Sequence, residues 1–575
     1  AYLSYELATI VPEAPIEFSP EDALKKPYKK PELYALFQKL EFVRLIDRYG
    51  LREAAAQASA SPAAQFVQLP KADCPPESAG ECALYFAPDG SVGVAWKDGV
   101  CALTPMEVHT SPLPHFEKLI LHDAKASLHR LEELGLPDCP VEFDTALAAY
   151  DLNPSQSDYP VSKLATTFLG KSVEDEDPLQ CAQAIWNLYP VLTKELEKDG
   201  MTKLYREIEL PLCTVLYRME CRGIAIDRDQ LTAFGSMLKA RISDCESLIF
   251  SYADGPFNIN STRQLGELLF EKLGLPPVKK TKTGYSTNAD VLEKLKDKHP
   301  IIPAIMDYRM LTKLSSTYAE GLMKEIQADG RIHTTFQNLV TATGRLSSTD
   351  PNLQNIPVRT DLGAEIRKMF VPKDGCVLVD ADYSQIELRV LSHIADDKTM
   401  QKAFCEGMDI HTATASQVFG VPAEAVTPLQ RRHAKAVNFG IVYGISEFSL
   451  AEDIGVSRYE AKEYIESYLA NYHGVRDYMK NIVISAREQG YTQTMFGRRR
   501  YIPDLKSTNF NTRQGAERIA LNTPIQGTAA DLIKLAMIRV ENALNASFPQ
   551  AKLLLQVHDG GSNSRKESKT LSLAP

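Results

Sequence analysis

Hydrophobic and polar positions along the chain change their pattern near residues 65 and 200. Between these positions, short apolar runs such as CALYFA, SVGVAW and LILHDA alternate with stretches of helical spacing, which predicts a compact α/β domain. The turn Pro88-Asp89-Gly90 between the first two runs predicts a β-hairpin. From Lys203 onward, amphipathic stretches predict a second body, which is mostly helical through about Gly330. There Ser261 is expected to cap a helix over Thr262–Leu273.

Two apolar runs of the second body end in aspartate. Val377–Val379 leads into Asp380-Ala381-Asp382, and Leu553–Val557 leads into His558-Asp559. Each run is typical of a buried strand that holds an acid group at a rigid edge. If paired in space, the two edges would hold two Mg²⁺ ions about 3.5–4 Å apart for in-line phosphoryl transfer. On its own, the first edge is explained equally well as an acidic helix N-cap.

The segment Arg431–Gly444 sorts its large side chains by type. Arg431, Lys435, Phe439 and Tyr443 recur every four residues, so they fall along one face of a predicted helix. Cations come first and aromatic rings second, which matches the polarity of a nucleoside triphosphate. An amphipathic helix with snorkelling cations and half-buried rings is the simpler alternative. The order of cations and rings favours the ligand.

Three polar segments carry donors that suit contacts with a nucleic acid. Lys279–Thr287 is a lysine-rich turn on a helical arm, Thr343–Pro357 is a turn-rich loop around Arg345, and Asn522–Gly527 is expected to open a helix over Thr528–Leu544. The first two are also common as ordinary solvated loops.

Composition limits the remaining possibilities. The net charge of −10 does not by itself indicate a nucleic-acid partner, although a basic groove can lie on an acidic body. The ten cysteines form no CxxC pair, which argues for a reducing compartment and against a zinc site or disulfide framework. No apolar run is long enough for a membrane span. The chain begins Ala1-Tyr2 without a signal-peptide pattern, so we expect a cytoplasmic fragment of a longer protein.

Several long motifs together resemble those of family A DNA polymerases. DYSQIELR (Asp382–Arg389), RRHAKAVNFGIVYG (Arg431–Gly444) and QVHD (Gln556–Asp559) are similar to the three polymerase motifs, and TGRLSSTDPNLQNIP and NTPIQGTAAD to other segments of that family. The resemblance implies a multidomain α/β and α+β protein, in which an RNase H-like exonuclease-type α/β domain precedes a right hand of palm, fingers and thumb.

The expected domains follow from this resemblance. They are the end of a 5′ nuclease region with a linker (1–60), a degenerate 3′–5′ exonuclease-like domain (61–200), a polymerase domain (201–559) and a disordered tail (560–575). Within the polymerase domain, the expected thumb is about 215–330, the palm about 331–408 and 520–559, and the fingers about 409–519.

The resemblance also implies roles for individual side chains. Asp382 and Asp559 would bind two Mg²⁺ ions, Lys435 would give a proton to the leaving pyrophosphate, and Glu387 would exclude a ribose 2′-OH. The implied dNTP contacts are Arg431, Lys435, Phe439, Tyr443, His411, Glu387 and Gln385. The implied contacts with double-stranded primer–template DNA are Arg345, Asn352, Gln354, Lys279, Lys280, Lys282, Arg518, Asn522, Gln526 and His558. The implied enzyme is a monomeric, nucleoid-associated, DNA-directed DNA polymerase of replication and repair.

The exonuclease-like domain departs from the family pattern. CALYFAPDG lacks the family's Asp-x-Glu, Ser127 stands where an aspartate is expected, and CAQAIW has no carboxylate. We therefore expect no proofreading. A nuclease that uses the remaining Asp123 and Asp144 is the rival hypothesis.

The C-terminus departs as well. The family continues after His-Asp with a Glu and an apolar return strand, whereas this chain reads GGSNSRKESKTLSLAP from Gly560, as after a reading-frame change. We expect this tail to be disordered and to leave Leu553–Val557 without its partner strand. A second rival hypothesis follows, a remnant that binds primer–template DNA but is impaired in catalysis.

Overall fold

The computed structural model describes residues 29–39, 45, 48–49, 51, 66–73, 75–76, 78–110, 115–136, 139–281, 284–357, 360–558 and 569–574. Most of the region 1–60, with its expected linker, lies outside these residues. No helix in this part of the chain is long and apolar enough to cross a membrane.

A mixed five-stranded sheet forms the core of the first unit. Its strand order is β3-β2-β1-β4-β5, with β2 antiparallel to both of its neighbours and β4 parallel to both of its own. The predicted hairpin at Pro88-Asp89-Gly90 is confirmed as the β1–β2 connection. The bounds are α1 Lys30–Lys39, β1 Ser78–Phe86, β2 Val92–Trp96, β3 Gly99–Leu103, α2 Pro105–Thr110, β4 His115–Leu121, α3 Ala124–Glu133, β5 Val141–Asp144, α4 Thr145–Leu152, α5 Val161–Leu164 and α6 Pro178–Lys198.

The core of this sheet continues past residue 200. Helices α7 Thr202–Leu204 and α8 Leu210–Arg222 flank one π-helical turn, Tyr205–Glu209. Tyr205, Cys213 and Tyr217 are buried among the side chains of the sheet. The boundary expected at residue 200 therefore does not separate two hydrophobic cores, because α8 belongs to both units.

A helical arm follows, as the sequence predicted. Ser261 caps its helix by accepting a hydrogen bond from the backbone N–H of Gln264. The arm has its own small hydrophobic core between Ile249 and Tyr308. Its elements are β6 Ile224–Ala225, α9 Arg228–Tyr252, α10 Thr262–Gly266, β7 Lys280–Thr281, β8 Gly284–Tyr285, α11 Ala289–Leu295, α12 Ile301–Lys313 and α13 Glu320–Glu325.

The remaining elements share the largest hydrophobic core. They are β9 Arg331–Ile332, β10 Thr335–Gln337, β11 Ser347–Thr349, α14 Asp361–Lys368, β12 Val379–Ala381, α15 Ile386–Ile394, α16 Lys398–Cys405, α17 Ile410–Phe419, α18 Pro428–Val442, α19 Glu447–Ile454, α20 Arg458–Asn471, α21 His473–Gln489, β13 Tyr491–Gln493, β14 Arg499–Tyr501, α22 Phe510–Ser547, β15 Lys552–His558 and β16 Lys569–Ala574.

The helix expected to begin near Thr528 begins much earlier. It is the single helix α22, which contains Pro524 in its interior. A proline normally leaves the carbonyl four residues earlier without its donor. Here the Thr492 hydroxyl donates to that carbonyl, on Ala520, at 3.5 Å. A hydrogen bond from a neighbouring hairpin thus satisfies the group that the proline leaves open, and the expected break does not occur.

The C-terminal strands correct two expectations. Lys569–Ala574 is not disordered but forms β16, which pairs antiparallel with β12 on one side and with β15 on the other. Its short alternation, in which Leu571 and Leu573 are separated by Ser572, is typical of a strand and was overlooked. The apolar run before Asp380 is expected to be buried, yet Val377 and Val379 are 59% and 45% exposed.

A cluster of buried charges joins the first unit to α22. The guanidinium of Arg498 contacts Asp151 on α4 at 3.3 Å, Asp531 on α22 at 2.8 Å, and Glu209. Lys534 contacts Glu209 at 2.7 Å. Burial raises the pKa of Asp151 and of Asp531. The cluster contains two cations and three carboxyl groups. The raised pKa values therefore favour a neutral cluster in which one carboxyl group keeps its proton.

Replacing Arg498 should therefore be costly. Arg498→Ala leaves buried carboxylates uncompensated, and we expect it to lower the free energy of unfolding by about 3–5 kcal/mol. Arg487→Ala is the matched control, since Arg487 pairs with Glu517 at a partly exposed site and should cost less than about 1 kcal/mol. Urea denaturation of both variants measures the difference, and equal losses would contradict a central role for the cluster.

Candidate functional site

Helix α18 presents the predicted row of cations and rings. It begins with a capping box in which Thr427 and Gln430 satisfy each other's backbone N–H groups. Arg431 is exposed, Lys435 and Phe439 are half-buried, and the Lys435 Nζ lies 5.6 Å from the Phe439 ring centroid. Tyr443 follows as the C-terminal cap and is 42% exposed. The helical period predicted from the sequence is confirmed.

Arg431 is held by a carboxylate that sequence reasoning did not identify. Its guanidinium forms two hydrogen bonds with Asp409, at 3.1 and 2.6 Å. Asp409 also caps α17 by accepting from the backbone N–H of Thr412. Burial alone would raise the pKa of Asp409, but the bonds from Arg431 and Thr412 hold it at about 2. The only signal in the sequence is an Asp at a helix start.

His411 lies in the interior beside this pair. Its Nδ1 accepts a hydrogen bond at 3.1 Å from the side-chain amide of Asn438 on α18, so the Nε2 carries the proton. Within the described part of the chain, that Nε2 has no hydrogen-bond acceptor. Burial lowers the pKa of His411 to about 4. The imidazole is therefore a neutral donor at physiological pH, packed 5.7 Å from the Phe439 ring.

Glu387 links α15 to the far end of the row. Its carboxylate accepts from the Arg345 guanidinium and, at 3.4 Å, from the Tyr443 hydroxyl. In the amide orientation that satisfies both groups, Gln526 on α22 accepts from Arg345 at 2.8 Å. Glu387 is 6% exposed, so the carboxylate is fixed rather than solvated. Four predicted site residues, Glu387, Arg345, Gln526 and Tyr443, are thus in one connected network.

Helix α22 also contacts the end of α18. Asn522 donates to the carbonyl of Val442 at 3.3 Å. Arg518 is exposed, and its side chain lies so close to Gly444 that a Cβ there would be 3.1 Å from the Arg518 Cγ. The structure therefore brings both α22 residues to the Tyr443 end of the row.

Asp382 lies at the edge of the C-terminal sheet. It is exposed and follows β12, while Gln385 takes a left-handed conformation (φ 58°) at the start of α15. Ala381 on β12 and Gln556 on β15 both pair with Leu571 on β16. Both strands run antiparallel to β16 and therefore parallel to each other. Their C-terminal ends lie at the same end of the sheet, about 10 Å apart across β16. An exposed carboxylate at this edge is an oxygen ligand that suits a divalent cation.

The other predicted residues divide into three groups. Asp559 and Lys282 lie outside the described residues, and of His558 only its place at the end of β15 is described. Lys279 and Lys280 are exposed near a small hairpin on the arm, and Asn352 is exposed in a loop. Gln354 does not face an open surface, because it is buried and donates to the Gln556 side chain at 2.8 Å.

The two remaining acids of the first unit serve as helix caps. Asp144 is buried and accepts hydrogen bonds from the backbone N–H groups of Asp123, Ala124, Ala146 and Leu147. Burial raises its pKa to about 7, and the charge of Asp123 adds to the shift. Asp123 caps α3 with its own side chain. Neither arrangement points two carboxylates at one shared cation.

The buried His411 should make stability depend on pH. Its pKa is about 4 in the folded chain but near 6.5 when unfolded, so the unfolded state binds more protons between these values. Stability should be complete above about pH 6.5 and fall by up to about 3 kcal/mol on acidification to pH 4. His411→Gln cannot be protonated and should lose less over this range in urea titrations.

The exposed His393 provides the control. His393→Gln removes an imidazole outside the network and should keep the wild-type pH profile. An unchanged profile in His411→Gln would contradict the assignment.

Comparisons with known proteins identify the family of the chain. The family model described as DNA polymerase family A matches residues 228–565. DNA polymerase I of Caldicellulosiruptor bescii is 43% identical over 97% of this chain and 67% of its own length, and that of Bacillus subtilis is 43% identical over 97% and 68%. The solved POL domain of Pol1 from M. smegmatis, a complex with DNA primer-template and dNTP, has a TM-score of 0.77 at 38% identity, covering 86% of this chain and 88% of that one.

Members of this family use divalent metal ions and dNTP substrates, and the comparisons do not favour a remnant that only binds DNA. Family model, relatives and structural neighbour all lead to the same assignment: the chain belongs to DNA polymerase family A and is a DNA-directed DNA polymerase that carries out template-directed DNA synthesis.

Proposed function

We propose that this chain acts as a monomer that adds dNTPs to a primer 3′-OH in replication and repair, with the row on α18 as its triphosphate site. Arg431 and Lys435 bind the phosphates, and Phe439 and Tyr443 flank the sugar and the new base pair. The main support is the order of these side chains, two cations followed by two rings along one helix face.

The residues around the row complete the phosphate site. Arg431 exchanges its bond with Asp409 for the more highly charged triphosphate, which its planar guanidinium can bind through two donors. The neutral imidazole of His411 donates its Nε2–H to a phosphate oxygen. Among the described residues, this N–H has no hydrogen-bond acceptor. Lys435 gives a proton to the pyrophosphate as it leaves.

Two carboxylates hold the metals in this proposal. Asp382, which follows β12, and Asp559, which follows β15 in sequence, would hold two Mg²⁺ ions. Such ions would activate the primer 3′-OH and stabilise the leaving pyrophosphate.

Groups around the network of Glu387 contact the primer–template near its terminus. Arg345, Arg518, Asn522 and Gln526 are brought together there by α22 and the loop before β11. The exposed lysines of the arm, Lys279 and Lys280, suit the DNA backbone further from the terminus. Gln354 supports β15 from the interior and is not one of these contacts.

The α/β unit acts as an RNase H-like domain without proofreading activity. The strand order 3-2-1-4-5, with one antiparallel strand beside parallel ones, supports the fold assignment. The carboxylate of Asp144 is used by four backbone N–H groups, so a metal would have to displace them. This arrangement supports the loss of nuclease activity rather than the rival hypothesis.

A primer-extension assay tests the proposal. The wild-type chain with Mg²⁺ and dNTPs should lengthen a labelled primer, and Asp382→Asn should slow extension by at least about 10²-fold because a metal ligand is lost. Asp380→Asn is the matched control, since that aspartate lies within β12 opposite Ser572. It should extend nearly as well as the wild type.

Two further measurements test the rival hypotheses. Without dNTPs the primer should not shorten, and shortening that disappears in Asp123→Ala would restore the nuclease hypothesis. A gel-shift measurement should give equal DNA binding for both variants. Binding without extension by the wild-type chain would instead support the impaired remnant.

The buried Glu387 should act as a steric gate. Arg345 and Tyr443 hold its side chain in place. If that side chain excludes a ribose 2′-OH, Glu387→Ala should relax discrimination against ribonucleotides by roughly 10- to 100-fold. Glu387→Gln keeps the volume and should keep most of the discrimination. Single-nucleotide incorporation of dNTP and rNTP measures both, and unchanged discrimination in the alanine variant would remove Glu387 from this role.

A further inference from the structure

A second group of metal-type ligands lies far from the polymerase motifs in sequence, at the junction of α3 and α8. Within the described residues, one group of His, Cys, Asp or Glu side chains brings three donor atoms within 4.8 Å of one another: His129, Glu132 and Cys221. His129 and Glu132 are three residues apart on α3, and therefore on one face of that helix. Cys221 is in the last turn of α8. The thiol lies 3.7 Å from the His129 Nδ1 and 3.1 Å from the Glu132 Oε2.

The imidazole of His129 is oriented for binding by a buried carboxylate. Its Nε2 lies 2.6 Å from an oxygen of Glu220, which is also bound by Lys125 at 2.9 Å and by the backbone N–H of Phe336. A carboxylate in that setting is an acceptor, so the Nε2 donates and the Nδ1 directs its lone pair toward Cys221. A histidine that binds zinc usually donates its other N–H to such a carboxylate.

We propose that His129, Glu132 and Cys221 form a Zn²⁺ site. A tetrahedral ion bound to sulfur at about 2.3 Å and to nitrogen at about 2.0 Å separates those two ligands by roughly 3.5 Å. The 3.7 Å between the Cys221 Sγ and the His129 Nδ1 already matches this value. Glu132 is exposed and can move outward by the small distance that its carboxylate needs.

The donor set also suits zinc in charge. The thiol hydrogen that now points at Glu132 leaves as a proton when the thiolate binds, and thiolate and carboxylate together neutralise a divalent ion. Three protein ligands leave a fourth position open to water on the exposed side of Glu132. The absence of a CxxC pair argues against a zinc site. Here, however, the ligands come from two helices, and Glu132 and Cys221 are 89 residues apart in sequence.

Such an ion would connect the two units of the chain. Helix α3 packs on the sheet of the first unit, and α8 leads into the polymerase region while contributing Cys213 and Tyr217 to the first core. The site lies outside the row on α18 and the Asp382 edge, so its role would be to fix the junction. It does not depend on the assignment of the catalytic residues.

Cobalt absorption tests the proposal. The full chain, with its thiols reduced and excess Mg²⁺ present to fill the Asp382 edge, is titrated with Co²⁺. We expect near-ultraviolet thiolate-to-cobalt charge-transfer absorption that saturates at one ion per chain and is abolished by one equivalent of Zn²⁺. Carboxylates alone cannot give this absorption, so the polymerase site does not contribute to it.

Variants decide the ligand set. Cys221→Ser should abolish the absorption, and Glu132→Gln, a change at an exposed side chain that leaves the fold intact, should weaken Co²⁺ binding at least tenfold. Cys245→Ser removes another half-buried thiol on α9 and should leave the titration unchanged. No charge-transfer absorption in the wild-type chain, or the same absorption in Cys221→Ser, would overturn the proposal.

Discussion

The burial of Arg498 together with four other ionisable groups is the constraint on which the arrangement of the two units depends. Removing these charges from water is expensive, and the expense is offset only if all partners meet with good geometry. Asp151 comes from the first unit, Glu209 from the π-helical turn before α8, and Asp531 and Lys534 from α22. The cluster is therefore complete only when both units are docked. It fixes the middle of α22, the helix that also carries the residues next to Tyr443.

The candidate nucleotide site shows a second electrostatic pattern. Two of its arginines already have carboxylate partners, Asp409 for Arg431 and Glu387 for Arg345. Such pairs hold long side chains in place before a ligand arrives, which lowers the conformational entropy that binding would otherwise lose. In the proposed function, Arg431 would leave Asp409 to reach a phosphate. Glu387 differs from Asp409, because it is buried, and there it would stay paired with Arg345 while it limits the space beside Tyr443.

The parts of this structure that could be predicted are those that local sequence determines. The row on α18 follows from a four-residue period, and the first hairpin from Pro88-Asp89-Gly90 between apolar runs. The errors arose where distant residues decide. Thr492 satisfies the carbonyl that Pro524 leaves open, Gln354 is buried because Gln556 accepts from it, and β16 forms because two other strands flank it. Asp409 and Cys221 acquire their importance only from partners that the sequence does not place beside them.

Gly344 shows how closely the two units are connected. It adopts φ +80°, and a Cβ at this position would lie 2.5 Å from the Nε of Arg498. The next residue is Arg345, whose guanidinium reaches Glu387 beside Tyr443. One peptide unit thus separates the glycine that packs against the buried charge cluster from the arginine that binds Glu387. The first unit therefore bears on the proposed nucleotide site through Arg498, whatever its own chemistry, because the backbone that carries Arg345 packs against that guanidinium.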